Sequence, residues 1–77
     1  MSDLPAKHYL DIYRRRVSMA EKGISHPSPN ILVAAKQLII KLEAMDQEDR
    51  IKLDIVGNKA QFWNSATGEL LVEMPNE

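Results

Sequence analysis

The arginine run Arg14–Arg16 is the densest group of side chains in this chain that could do chemistry. Guanidinium groups bind phosphate oxygens in pairs, and the neighbouring Tyr9 and Tyr13 carry rings on which bases can stack. Consecutive helical residues point about 100° apart, so the three arginines do not make a single patch. We therefore expect a solvated helix face in which Asp11 pairs with Arg15. Nucleic-acid binding through Arg14–Arg16 and Tyr9 is the alternative.

No other residues have the spacing of a catalytic or metal site. His8 and His26 are in different segments, and the chain contains no cysteine to complete a zinc site. The three glycines are each explained by a turn, so none belongs to a phosphate-binding loop. No serine stands beside a histidine in a recognisable motif either. Since the spacing of a nucleophile, of metal ligands and of a phosphate-binding loop is missing from the sequence, we expect no enzyme activity, no metal and no cofactor.

The length and composition indicate one small domain that needs additional stabilisation. A chain of 77 residues has little core, and the absence of cysteine excludes disulfides. The net charge of −1 gives no strong field toward nucleic acid or an anionic membrane. We expect a cytoplasmic protein that does not enter a membrane and that binds a protein partner or a second copy of itself. Short chains of this kind are common in bacterial and phage genomes.

Two amphipathic helices are predicted in the first part of the chain, over residues 5–22 and 29–45. Asp3 is the predicted cap of the first helix and Ser28 that of the second, with Gly23 as a left-handed stop between them. The helical spacing predicts these buried residues: Ala6, Leu10, Tyr13, Val17 and Ala20 in the first helix, and Ile31, Ala35, Leu38, Leu42 and Met45, widened by Leu32 and Ile39, in the second.

Alternating apolar residues after the acidic connector predict three strands, over residues 50–56, 59–64 and 69–74. A Gly57-Asn58 turn of type II′ joins the first two, and a loop ending at Gly68 joins the last two. Counting from these turns predicts the pairs Ile55–Ala60, Leu53–Phe62, Lys52–Trp63, Phe62–Val72 and Trp63–Leu71. The fold class is therefore α+β, two helices followed by a three-stranded antiparallel meander (ααβββ), with the second helix packed on one sheet face.

The second helix is apolar on two faces, which indicates a contact on each. Val33, Ile40 and Ala44 lie near the side opposite its main stripe. Either the first helix covers this second face, or the face is the interface of a two-fold homodimer.

The outer face of the sheet carries a second apolar group. Trp63, Leu71 and Val56 are expected there, with Lys52 beside them. An apolar group with a polar rim suits a partner-binding site, and tryptophan is frequent at binding hot spots. The alternative is a single tryptophan whose ring rests on the Lys52 side chain.

The last hairpin, residues 64–75, has a Thr-Gly-Glu turn before an apolar strand that ends in proline. It resembles the C-terminal hairpin of flagellar FlaG-type proteins. The resemblance covers this hairpin alone, and it assigns no function to the chain. The sequence as a whole favours a small non-enzymatic protein–protein interaction module, such as an adaptor, accessory subunit or inhibitor, that is homodimeric.

Overall fold

The computed structural model describes residues 3–75 as two helices and a four-stranded antiparallel sheet. The elements follow the chain as β1 (Leu4–Pro5), α1 (Ala6–Glu21), α2 (Pro29–Glu43), β2 (Arg50–Val56), β3 (Lys59–Asn64) and β4 (Leu70–Pro75). The sheet order is β1-β2-β3-β4, so neighbours in the chain are neighbours in the sheet. The α+β class and the packing of α2 on the sheet are confirmed.

The prediction of three strands is wrong by one, because β1 pairs with β2 at the edge of the sheet. Leu4 lies opposite Ile51 and Pro5 opposite Arg50. Proline lacks an amide donor and is tolerated on an edge strand. A strand of two residues is too short to show an alternating pattern, and Pro5 suited the first turn of a helix equally well.

The cap predicted for α1 is replaced by main-chain groups of the acidic connector. The amides of Ala6 and Lys7 donate to the carbonyls of Asp49 (2.8 Å) and Gln47 (3.2 Å). Asp3 instead accepts a hydrogen bond from the Ser65 hydroxyl and makes no cap bond to α1. The cap predicted for α2 is correct, since Ser28 Oγ accepts from the amide of Ile31 at 3.4 Å.

The hairpin between β2 and β3 has the predicted register, with Ile55 opposite Ala60 and Leu53 opposite Phe62. Gly57 has φ +62°, the left-handed value that the first central position of a type II′ turn requires. The next pairing holds at Phe62–Val72 and then shifts, so that Trp63 lies opposite Leu70. The predicted pair Trp63–Leu71 is therefore wrong, because a bulge adds one residue to β4 at this point.

Both helices pack on the same face of the sheet and share one hydrophobic core. Tyr9 and Tyr13 of α1 place their rings edge-on to Phe62 of β3, each with centroids 5.6 Å apart. The second helix contacts both α1 and β4. The largest fully buried side chains of this core are Phe62, Leu38, Leu42 and Ile51.

Candidate functional site

The outward face of α2 leaves two large apolar side chains in solvent. Val33 is 56% exposed and Ile40 is 64% exposed, and Ala44, one turn beyond Ile40, is exposed as well. The opposite side of the same helix is buried through Ala35, Leu38 and Leu42 against α1 and the sheet. The first helix therefore leaves the second apolar face of α2 uncovered.

One flank of this outward face, the flank toward α1, carries charges of both signs. Lys36 and Glu43 are seven residues apart, which places them on one flank about two helical turns apart. The Glu43 carboxylate also accepts a hydrogen bond from Arg14 of α1. The other flank is polar, with Gln37 and Lys41. We refer to Val33, Ile40 and Ala44 with these four flanking residues as the α2 surface.

The outer sheet face carries a different leucine from the one that the sequence suggested. The residue pair Lys52–Trp63 is confirmed as cross-strand neighbours, and Val56 is exposed near the hairpin. Leu71, however, is half-buried and packs against the hydrophobic core, while Leu70 is the exposed member of the pair. The bulge in β4 accounts for the exchange, since one extra residue changes which side chains face outward. Trp63 itself is half-buried.

The three arginines have three different environments. Arg14 pairs with Glu43, and Arg15 pairs with Asp11 one turn back at 3.1 Å, as predicted. Arg16 lies over the ring of Tyr13, with its guanidinium carbon 5.1 Å from the ring centroid. No acidic partner for Arg16 occurs within residues 3–75. Two of the three cations are thus already neutralised by carboxylates of this chain.

The tyrosines of α1 are core residues and present no free ring for base stacking. Tyr9 and Tyr13 are both buried, where they contact Phe62. Burial raises the pKa of Tyr13, and the nearby Arg16 opposes that rise. Burial, with a smaller effect of Asp3, also raises the pKa of Tyr9. The structure therefore gives both residues a packing role.

The histidines do not form a metal site. His8 is exposed on α1 and contacts Tyr9 edge-on, whereas His26 is exposed in the loop that joins the helices. Over the described residues, no three His, Asp or Glu side chains come together in a way that could hold a metal ion.

A cleft of about 530 Å³ opens between the two helices near the loop that joins them. The second half of α1 lines one wall with Val17 and Met19, and the first turns of α2 line the other with Ile31 and Leu32. Two residues with short side chains, Ala35 and Ala60, line it as well, as do Met74 and Pro75 of β4. Its volume is within the range typical of ligand sites.

The sequence predicted no cleft at this position. The available signal was Ala60, the smallest residue on the inner face of the sheet, opposite an alanine-rich part of α2. Short side chains at the meeting of three elements leave volume that their neighbours do not fill. Periodicity reports which residues face inward, and it does not report the volume they enclose.

Comparison of the chain with protein-family models, curated proteins and solved structures finds no match. The α2 surface and the cleft are therefore the two candidate functional sites of the chain. Neither helix within residues 3–75 is long and apolar enough to cross a membrane.

Proposed function

We propose that this chain is a small non-enzymatic protein–protein interaction module that forms a homodimer through the α2 surface. The main support for this proposal is that Val33 and Ile40 are exposed on the side of α2 turned away from the core. A helix that is apolar on two faces is usually covered on both. In this chain the core covers only one of them.

The pattern of the α2 surface favours a second copy of the same chain as the partner. Two α2 helices that run antiparallel across a two-fold axis bring the same flank of each helix together. Lys36 of one copy then lies near Glu43 of the other, and the pair occurs twice. Val33 of each copy also lies near Ala44 of the other, with Ile40 between them. The apolar and charged parts of the surface are therefore both self-complementary.

The small size of the chain supports the same proposal. A domain of 77 residues without cysteine has few means of gaining stability within one copy. Covering Val33 and Ile40 in a dimer buries apolar surface, and each Å² buried contributes roughly 25 cal/mol of stabilising free energy. A cytoplasmic location belongs to this proposal too, because a chain without cysteine suits a reducing compartment.

Sedimentation velocity of the purified chain and of two matched variants tests the proposal. Ile40→Glu places a charge in the α2 surface, and Ile24→Glu places the same charge in the loop that follows α1, where the isoleucine is 67% exposed. We expect the wild type and Ile24→Glu to sediment as dimers and Ile40→Glu as a monomer. Circular dichroism of each variant checks that the helices and sheet remain.

Two outcomes oppose the proposal. A wild type that stays monomeric at several hundred micromolar would exclude the homodimer. An Ile40→Glu variant that dimerises as strongly as the wild type would place the interface elsewhere, with the Trp63 face as the next surface to mutate.

Nucleic-acid binding through Arg14, Arg15 and Arg16 is the weaker candidate. Carboxylates of the same chain already pair with Arg14 and Arg15, and the tyrosine rings are buried. A gel shift at low salt tests it, since phosphate binding by arginines weakens steeply as salt rises.

A further inference from the structure

We infer that the cleft between α1 and α2 binds a small amphiphilic anion, with an apolar body inside the cleft and a carboxylate at its rim beside Arg16. This inference is independent of the homodimer, because the cleft lies within one copy and shares no residue with the α2 surface. It adds a ligand site to a chain proposed above only as an interaction module.

The interior of the cleft suits an unbranched apolar chain. Its walls come from α1, α2 and the inner face of the sheet, and apart from Tyr13 its buried lining residues are aliphatic or methionine. Methionine side chains adapt to different ligand shapes because they are unbranched and flexible. Met19 stands at the opening and is 40% exposed, whereas Met74 is buried. A volume of about 530 Å³ accommodates a medium-chain fatty acid.

The polar lining of the cleft favours negative charge. It includes Arg16 and Tyr13 on α1 together with Ser25, His26 and Ser28 of the connecting loop. The first amides of α2 follow Ser28, so the positive end of this helix dipole is close to the same rim. No aspartate or glutamate lines the cleft in the described part of the chain. A ligand with an anionic head therefore meets positive potential there and no opposing carboxylate.

Arg16 is the residue that gives the site its preference for an anionic head group. Its two neighbours in sequence are paired with acids, whereas Arg16 has a neutral ring, Tyr13, as its contact. An arginine held against an aromatic ring keeps its forked donors free for a carboxylate. Arg16, which has no acidic partner among residues 3–75, thus lines the cleft as its one cationic side chain of the arginine run.

Isothermal titration calorimetry with three straight-chain amphiphiles tests this inference: decanoate, decanol and decyltrimethylammonium, each below its micelle-forming concentration. Their alkyl chains differ by no more than one carbon, so large differences in affinity report the head group. We expect decanoate to bind wild type at least about tenfold more tightly than decanol, because a charge-assisted bond to Arg16 forms only with the carboxylate. The cationic probe is expected to bind most weakly.

Two arginine variants supply the matched comparison. Arg16→Gln is expected to weaken decanoate binding about tenfold and to leave decanol binding unchanged. Arg15→Gln removes an adjacent arginine, already paired with Asp11, and is expected to leave both affinities unchanged. Both side chains are exposed, so neither substitution leaves a cavity in the core.

An NMR titration locates the decanoate site independently. Decanoate should change the amide chemical shifts of residues that line the cleft, such as Ala35 and Ala60, more than those of Val33 and Ile40 of the α2 surface. The inference is overturned if decanoate does not bind at millimolar concentration or binds no better than decyltrimethylammonium. Equal losses in Arg15→Gln and Arg16→Gln overturn it too, as do shifts confined to the α2 surface.

Discussion

At its two ends, the layer between the helices and the sheet is packed with side chains of different size. One end, which we term the closed end, contains Ala6, Leu42, Ile51 and Phe62, and all four are fully buried. The other, which we term the open end, contains Met19, Ala35, Ile55, Ala60 and Met74 around the cleft or beside it. Leu42, Ile51 and Phe62 fill the first end, whereas the short side chains of Ala35 and Ala60 leave the second end partly empty.

The segments that cross the two ends differ as well. At the closed end, main-chain carbonyls of residues 46–49 accept hydrogen bonds from the first amides of α1, and Gln47 donates to the end of α2. At the open end, the amides of Gly23, Ile24 and Ser25 bond back to the last turns of α1. The closed end thus ties three elements together, whereas the loop at the open end finishes one helix and leaves a gap beneath it.

The largest expected effect comes from removing a large side chain at the closed end. Phe62→Ala should lower the free energy of unfolding by about 3–5 kcal/mol, which is most of the stability of a domain this small. Ile55→Ala, on the same face of the sheet but 46% exposed, should cost less than about 1 kcal/mol. Urea denaturation followed by circular dichroism measures both values, and similar losses would contradict the contrast between the ends.

The sequence predicts those features of the closed and open ends that depend on the spacing of apolar residues. Helical spacing finds both helices, and strand alternation with the Gly57-Asn58 turn finds the register that buries Phe62. These signals are strong because many residues contribute to each one. The boundaries are weaker, and α2 ends at Glu43 whereas the spacing continues to Met45. The last strand likewise runs from Leu70 to Pro75, one residue later than predicted.

The features that periodicity does not encode are those that distinguish the two ends. Strand β1 has two residues, and the bulge beside Leu71 depends on a single inserted position. The cap of α1 comes from carbonyls of Gln47 and Asp49, which any residue type could supply. The candidate sites follow the same division: the exposed face of α2 was predictable from its spacing, and the cleft beside Arg16 was not.

A second, smaller effect is expected at Gln47. Its side-chain amide donates to the carbonyls of Leu42 (2.9 Å) and Met45 (3.1 Å), at and just beyond the end of α2. Carbonyls at a helix end lack the full set of helical hydrogen bonds, and here the Leu42 carbonyl accepts a long main-chain bond of 3.4 Å from the Met45 amide. Gln47→Ala should therefore cost about 1 kcal/mol of stability. Gln37→Ala, on the exposed side of the same helix, should change it by less than about 0.5 kcal/mol. Equal urea midpoints for the two variants would show that the Gln47 bonds do not hold the closed end.

The smallest effect at neutral pH concerns Tyr13, which contacts Phe62 and also lines the cleft. Burial raises the pKa of its phenol above the ordinary 10.0, so the folded chain holds this proton more tightly than the unfolded chain does. That stabilisation is complete below about pH 10 and is lost as the pH rises through the folded-state pKa. Tyr13→Phe keeps the ring and has no proton to lose, so its stability relative to wild type should rise in alkaline solution. Urea midpoints of both proteins between pH 7 and 11 measure the difference, and parallel profiles would mean that Tyr13 is solvated from the open end.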